Sequence, residues 1–107
     1  LHDAATAVSG SGPAYIFLVA EAMMDAAVGL GVPRAQASEL VIGTLSGSAE
    51  LLRQGQHPAA LRNQVTSPGG TTAAALDELE AHGLRTAFSR AMKACCDKAR
   101  SMGDRFE

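Results

Sequence analysis

Apolar residues recur at spacings of three and four along most of the chain, and no alternating segment of useful length interrupts them. Residues 1–8 predict a short helix, stopped at Ser9-Gly10-Ser11-Gly12. Pro13 suits the first turn of a second helix, where its missing N–H is not needed. From Pro13 to Leu30 only Glu21 and Asp25 are charged, and being four apart they share one narrow stripe of an otherwise apolar helix. Gly29 and Gly31 end it, and Val32-Pro33 turns the chain. A third helix is predicted from about Arg34 to Arg53, with Ala37, Val41, Thr44, Leu45, Ser48, Leu51 and Leu52 on one broad face. After Gly55-Gln56-His57 a short helix runs from Pro58 to about Val65. Thr66-Ser67-Pro68-Gly69-Gly70-Thr71-Thr72 is the densest cluster of backbone-directing residues. A fifth helix, about Thr72 to His82, places Ala75, Leu76 and Leu79 inward and closes at Gly83. The last, about Leu84 to Met102, repeats Leu84, Phe88, Ala91, Cys95, Ala99 and Met102 on one face. The pattern predicts one all-α domain over residues 1–107, of five to six helices, with no repeat and no linker.

Composition sharpens that picture. A hydrophobic fraction of 47% excludes disorder, and 9 basic against 11 acidic residues leave no basic surface for nucleic acid or an anionic membrane. Twenty-one residues are alanine, none is tryptophan, and only Tyr15, Phe17, Phe88 and Phe106 are aromatic. Alanine favours helices and close helix approach but buries little area, so the core is thin. Such a unit completes its core against a partner chain. A membrane span over Pro13–Leu30 is disfavoured by its two acids. Cys95 and Cys96 are neighbours whose side chains diverge on a helix, which predicts free, reduced thiols and a reducing, cytoplasmic setting. The chain opens without Met, at Leu1-His2-Asp3-Ala4, and reads as part of something longer.

Ser67-Pro68-Gly69-Gly70-Thr71-Thr72 asks for chemistry as well as packing. Its glycines permit a sharp turn and close backbone approach to a ligand. The helix that follows offers unpaired N–H groups and a positive dipole end beside two hydroxyls, a receptor for a small carboxylate or phosphate. A plain inter-helix corner with Thr71 or Thr72 as N-cap accounts for the same residues. No lysine follows the glycines and no strand precedes them, which excludes a P-loop and a dinucleotide fingerprint. Gly10-Ser11-Gly12-Pro13 is a second, weaker turn of the same kind. His2, His57 and His82 have no metal-ligand spacing with each other or with the cysteines, so no metal site is expected. Glu21 and Asp25 are expected to face solvent or a partner arginine.

Val8-Ser9-Gly10-Ser11-Gly12-Pro13-Ala14-Tyr15, Gly29-Leu30-Gly31-Val32-Pro33-Arg34 and Gln64-Val65-Thr66-Ser67-Pro68-Gly69-Gly70-Thr71-Thr72 together resemble the C-terminal domain of pyrroline-5-carboxylate reductase. The match in order and spacing spans residues 1 to about 102. The resemblance implies an all-α dimerisation domain interlocked with a second protomer, forming homodimers and, in many members, decamers of five dimers. It implies NADPH- or NADH-dependent reduction of a cyclic imine acid to proline, with the cofactor held mainly by an N-terminal Rossmann domain outside this chain. A fragment without that domain is expected to be inactive alone. By position, Ser67, Gly69, Gly70, Thr71 and Thr72 resemble the substrate-binding turn, with Thr72 nearest the ring nitrogen as the candidate catalytic residue. Gly10, Ser11, Gly12 and Pro13 resemble the turn lining the nicotinamide side. Asn63 stands where members often carry an acid. A non-catalytic helical dimerisation module, or the helical domain of a related Rossmann reductase, is the alternative.

Overall fold

The structure is a computed structural model that describes residues 2–106, with side chains as far as residue 103. Its elements are α1 (His2–Ala5), a π-helical turn (Thr6–Gly10), α2 (Gly12–Gly29), α3 (Arg34–Arg53), α4 (Pro58–Gln64), α5 (Thr71–Ala81) and α6 (Leu84–Phe106). No strand occurs among the described residues, and the all-α expectation holds. Four predicted helices fall within one or two residues of their observed bounds, whereas α6 runs past Met102.

One prediction fails. The first helix does not stop at Ser9-Gly10-Ser11-Gly12: the chain widens into the π-turn, where the Ser11 amide donates to the Thr6 carbonyl at 3.0 Å, and α2 begins at Gly12. Neither Gly10 nor Gly12 adopts positive φ, so these glycines do not break the helical path. The stop between α2 and α3 is real. Gly31 has φ +102°, its amide donates to the Val28 carbonyl at 2.9 Å, and the Val32 amide donates to the Ala27 carbonyl at 3.0 Å. That pairing is a Schellman cap, and glycine is the residue it favours.

The chain divides into two packing units. The first takes the segment up to Ile16 with everything from Ala75 on, and in it α1 and the π-turn pack on α6. Tyr15 meets Phe88 edge-on, with ring centroids 6.4 Å apart and planes at 70°. The second unit, Phe17–Ala74, is built on the remainder of α2 with α3 and α4. Ala37 is fully buried and Val41 is 6% exposed. Ser38 donates to Met24 Sδ at 3.6 Å, and Arg34 donates to Asp25 at 2.8 Å across the Val32-Pro33 corner. Asp25 thus meets an arginine, as expected of that stripe. His57 caps α4, its Nδ1 accepting from the Ala59 amide at 3.0 Å.

The expected inner faces are only partly covered. Ala7, Ala37 and Val41 are the buried apolar residues among those described, while Leu51, Leu52, Ala75, Leu79, Ala91 and Met102 are exposed. Helical periodicity puts these residues on common faces, but nothing among the described residues covers them. Both cysteines are free and half-buried.

Candidate functional site

The two turns singled out in the sequence fall in different units. In the second unit, Ser67-Pro68-Gly69-Gly70 forms a tight turn closed by the Gly70 amide donating to the Ser67 carbonyl at 3.0 Å. Pro68 occupies the first central position and Gly69, at φ +70°, the second, an arrangement that suits proline and then glycine. Gly70 is held for a different reason: a Cβ there would stand 3.2 Å from the Ser67 carbonyl oxygen.

The helix start differs from the expected one. The Gly70 carbonyl accepts the first helical amide, that of Ala74, at 3.1 Å. Gly70 is therefore the N-cap, and Thr71 and Thr72 are the first two residues of α5 rather than its cap. A glycine cap has no side chain to turn inward. Among the described residues nothing accepts from the amides of Thr71, Thr72 or Ala73. Three N–H groups thus point out of the helix end where its dipole is positive. Thr71 is exposed and Thr72 half-buried, so one hydroxyl lies in the open and the other partly sheltered. Ser67 and Gly69 are exposed beside them. Chemically, free amides and hydroxyls so placed can receive one small anion and one further hydrogen-bonding group.

In the first unit, Gly10, Ser11, Gly12 and Pro13 do not act as one face. Gly10 is exposed, and Ser11 is half-buried and turned to α6, where Cys95 Sγ donates to its Oγ at 3.2 Å. Gly12 and Pro13 line an open groove of about 470 Å³ with Val8, Tyr15, Ile16 and Phe88. The Tyr15 hydroxyl donates to the Ala7 carbonyl at 2.8 Å, and the Ser9 hydroxyl to the Ala5 carbonyl at 3.0 Å. The hydroxyls of Ser9 and Tyr15, the two that line the groove, are thereby spent on the backbone. Burial pushes the Tyr15 phenol above its usual value, and the adjacent Cys95 thiol adds to the rise.

The Tyr15, Phe88 and Cys95 cluster is absent from the sequence-derived site. Its signal was faint but present: Ser11 and Tyr15 are four apart, and Phe88 and Cys95 are seven apart on one face of α6. Asn63 is exposed, and its carbonyl accepts from the Thr66 amide at 3.2 Å.

The family described as pyrroline-5-carboxylate reductase dimerisation matches residues 1–102. The chain belongs to that family. The pyrroline-5-carboxylate reductase of Corynebacterium melassecola is 50% identical over 102 residues, covering 94% of this chain and 38% of that protein. The Escherichia coli reductase is 49% identical over 96 residues, covering 89% and 36%. A crystal structure of the Plasmodium falciparum enzyme with NADP bound superposes with a TM-score of 0.91 at 39% identity, covering 95% of this chain and 39% of that one. The Streptococcus pyogenes enzyme gives 0.90 at 45% identity, covering 92% and 39%. The chain thus spans about two-fifths of the length of the reductases it matches, and what it shares with them is their dimerisation domain.

Proposed function

We propose that this chain is the dimerising and substrate-holding part of a pyrroline-5-carboxylate reductase. The whole enzyme would reduce the cyclic imine acid to proline with NADPH or NADH. The observation that carries the substrate role is the unpaired amide cluster at the start of α5, beside two threonine hydroxyls, in a member of this family. The imine acid has one permanent anion, its carboxylate. A helix N-terminus holds a carboxylate without lysine or arginine, and no cation is found among residues 66–72. The Gly69-Gly70 backbone allows the carboxylate to approach the amides of Thr71, Thr72 and Ala73.

A nicotinamide, when bound, would supply the hydride for the imine carbon. The ring nitrogen, already protonated as an iminium, gains the C=N electron pair and becomes the proline amine. In this reading the half-buried Thr72 hydroxyl orients that nitrogen and accepts from its N–H as the charge moves. Fixing the carboxylate and the nitrogen together presents one face of the carbon to the hydride.

The groove beside Gly12 and Pro13 suits the nicotinamide end of the cofactor. A Cβ on Gly12 would meet nothing within 4 Å, so the groove has room at that point although Gly12 itself is buried. The lining is apolar, with both of its hydroxyls spent, which suits an uncharged ring and gives phosphates no donor. The residues fit that limited role, and in this reading other parts of the full-length reductase would hold the rest of the cofactor.

Dimerisation rests on the exposed surface. Phe17 is 71% and Leu30 87% exposed, and Leu18, Leu40 and Ile42 also lie open. The continuous helical run His2–Gly29 is long and apolar enough to cross a bilayer by length and composition. A second copy of the chain covers such a surface equally well, and the family match favours that cover over lipid.

Thr72→Ala and Thr72→Ser in the full-length reductase test the site. A lost neutral hydrogen bond lowers kcat/KM for the imine acid about 2- to 13-fold. Thr72→Ser is expected to keep most activity, since the hydroxyl stays. Equal kcat/KM in parent, Ala and Ser enzymes removes Thr72 from the site.

A further inference from the structure

We infer that His57 is a positioning residue for the imine acid: its neutral imidazole caps α4 and so steadies the Ser67–Gly70 turn and the α5 amides, and its protonation releases them. The inference rests on the reading of the α5 start as the carboxylate site. It is carried by a contact whose direction is fixed. The Ala59 amide donates to His57 Nδ1 at 3.0 Å, and an amide N–H can only donate. Nδ1 therefore carries no proton while the cap is made.

From that cap to the free amides the chain is tied at every step. Pro58 has no N–H, so the Ala59 amide is the first that α4 offers to a cap. The side chains of Gln64 and Gln56 are hydrogen-bonded at 3.1 Å, which joins the end of α4 to the residue before its cap. The Thr66 hydroxyl donates to the Arg62 carbonyl at 2.6 Å and the Thr66 amide to the Asn63 carbonyl at 3.2 Å. Ser67 comes next, and its carbonyl accepts from Gly70, the N-cap of α5. Within this unit α4 packs on α3, whereas the first turn of α5 packs on neither of them. Its place in the unit is set through α4 and the turn.

His57 is exposed, so its ring exchanges protons freely with solvent. A proton on Nδ1 removes the acceptor and also sets a cation at the positive end of α4, two effects of the same sign. The cap is complete while the imidazole is neutral and is lost as the pH falls and the ring charges. The charged side chains of the elements around it are Arg62 on α4 and Arg34, Glu39, Glu50 and Arg53 on α3. Among the described residues none of them forms an ion pair with the imidazole, and Arg34 is taken by Asp25. No carboxylate holds the charged ring in place once the cap is gone.

The test uses the full-length reductase, with KM and kcat for the imine acid measured from about pH 5 to 8, where imidazoles titrate, and folding read by Tm. Asparagine caps a helix without titrating, so the ratio of parent KM to His57→Asn KM cancels the titration of the substrate and of the groups both enzymes share. That ratio is expected to lie near unity at the alkaline end and to rise about 2- to 10-fold at the acid end, with kcat little changed. His57→Ala is expected to show the raised KM at every pH. Gly70→Val, which sets a Cβ against the Ser67 carbonyl beside the same amides, is measured alongside. A flat ratio with KM still raised in Gly70→Val overturns the role of His57 and leaves the carboxylate site standing. A lowered Tm in His57→Ala with parent-like KM makes the cap a feature of stability alone and also overturns the proposal. Unchanged KM in Gly70→Val overturns the site reading, and the proposal with it.

Discussion

Gly69 and Gly70 are adjacent and chemically identical, yet the structure holds them for different reasons. Gly69 needs positive φ, whereas Gly70 needs the space that a Cβ would take against the Ser67 carbonyl. Gly70→Val therefore strains the turn and crowds the approach to the α5 amides. In the full-length reductase we expect KM for the imine acid to rise tenfold or more (about 1.4 kcal/mol or above) with NADPH affinity and oligomer mass retained. Steady-state kinetics with light scattering check this, and unchanged KM makes the turn a corner only. The turn was legible in the sequence because Pro-Gly-Gly restricts its own backbone. The Ser11–Cys95 contact was not, because nothing local encodes a side-chain pair that only the packing of α6 brings together. The N-cap was misassigned for a related reason: threonine is the better capping residue, but the Pro68-Gly69 turn delivers Gly70 to that position first.

At the scale of elements, periodicity located the helices well because α2 and α3 carry long runs of helix-forming residues bounded by glycine or proline, and α6 a long run that starts after Gly83. The π-turn escaped it, since Ser-Gly-Ser-Gly composition reads as a stop and only the hydrogen-bond path reveals a widened helix. Periodicity also tells which residues share a face without telling what covers it, which is why Ala37 is sealed while Leu51 and Leu52, farther along α3, are open. Ala37 has no exposed surface at all. Ala37→Leu inserts three carbons into filled space and is expected to destabilise the fold by about 1–3 kcal/mol. A denaturant midpoint lowered at unchanged slope checks it. An undiminished midpoint means that α3 shifts freely to make room.

Across the whole molecule, three buried apolar residues among those described do not amount to a core for 107 residues. The alanine-rich composition announced that shortage. We expect the chain to have the mass of at least two copies at micromolar concentration. A well-folded species of 11.0 kDa in light scattering refutes this. Phe17→Asp, placing a charge on the open face of α2, is expected to shift the population toward single chains or to unfold it. The uncovered face of α2 also changes what stability means for this protein. If its missing neighbours arrive only with another chain, folding is second order, and the folded fraction follows mass action. Each tenfold dilution then withdraws about 1.4 kcal/mol of association free energy per dimer, so that dilution alone acts on this domain as a denaturant.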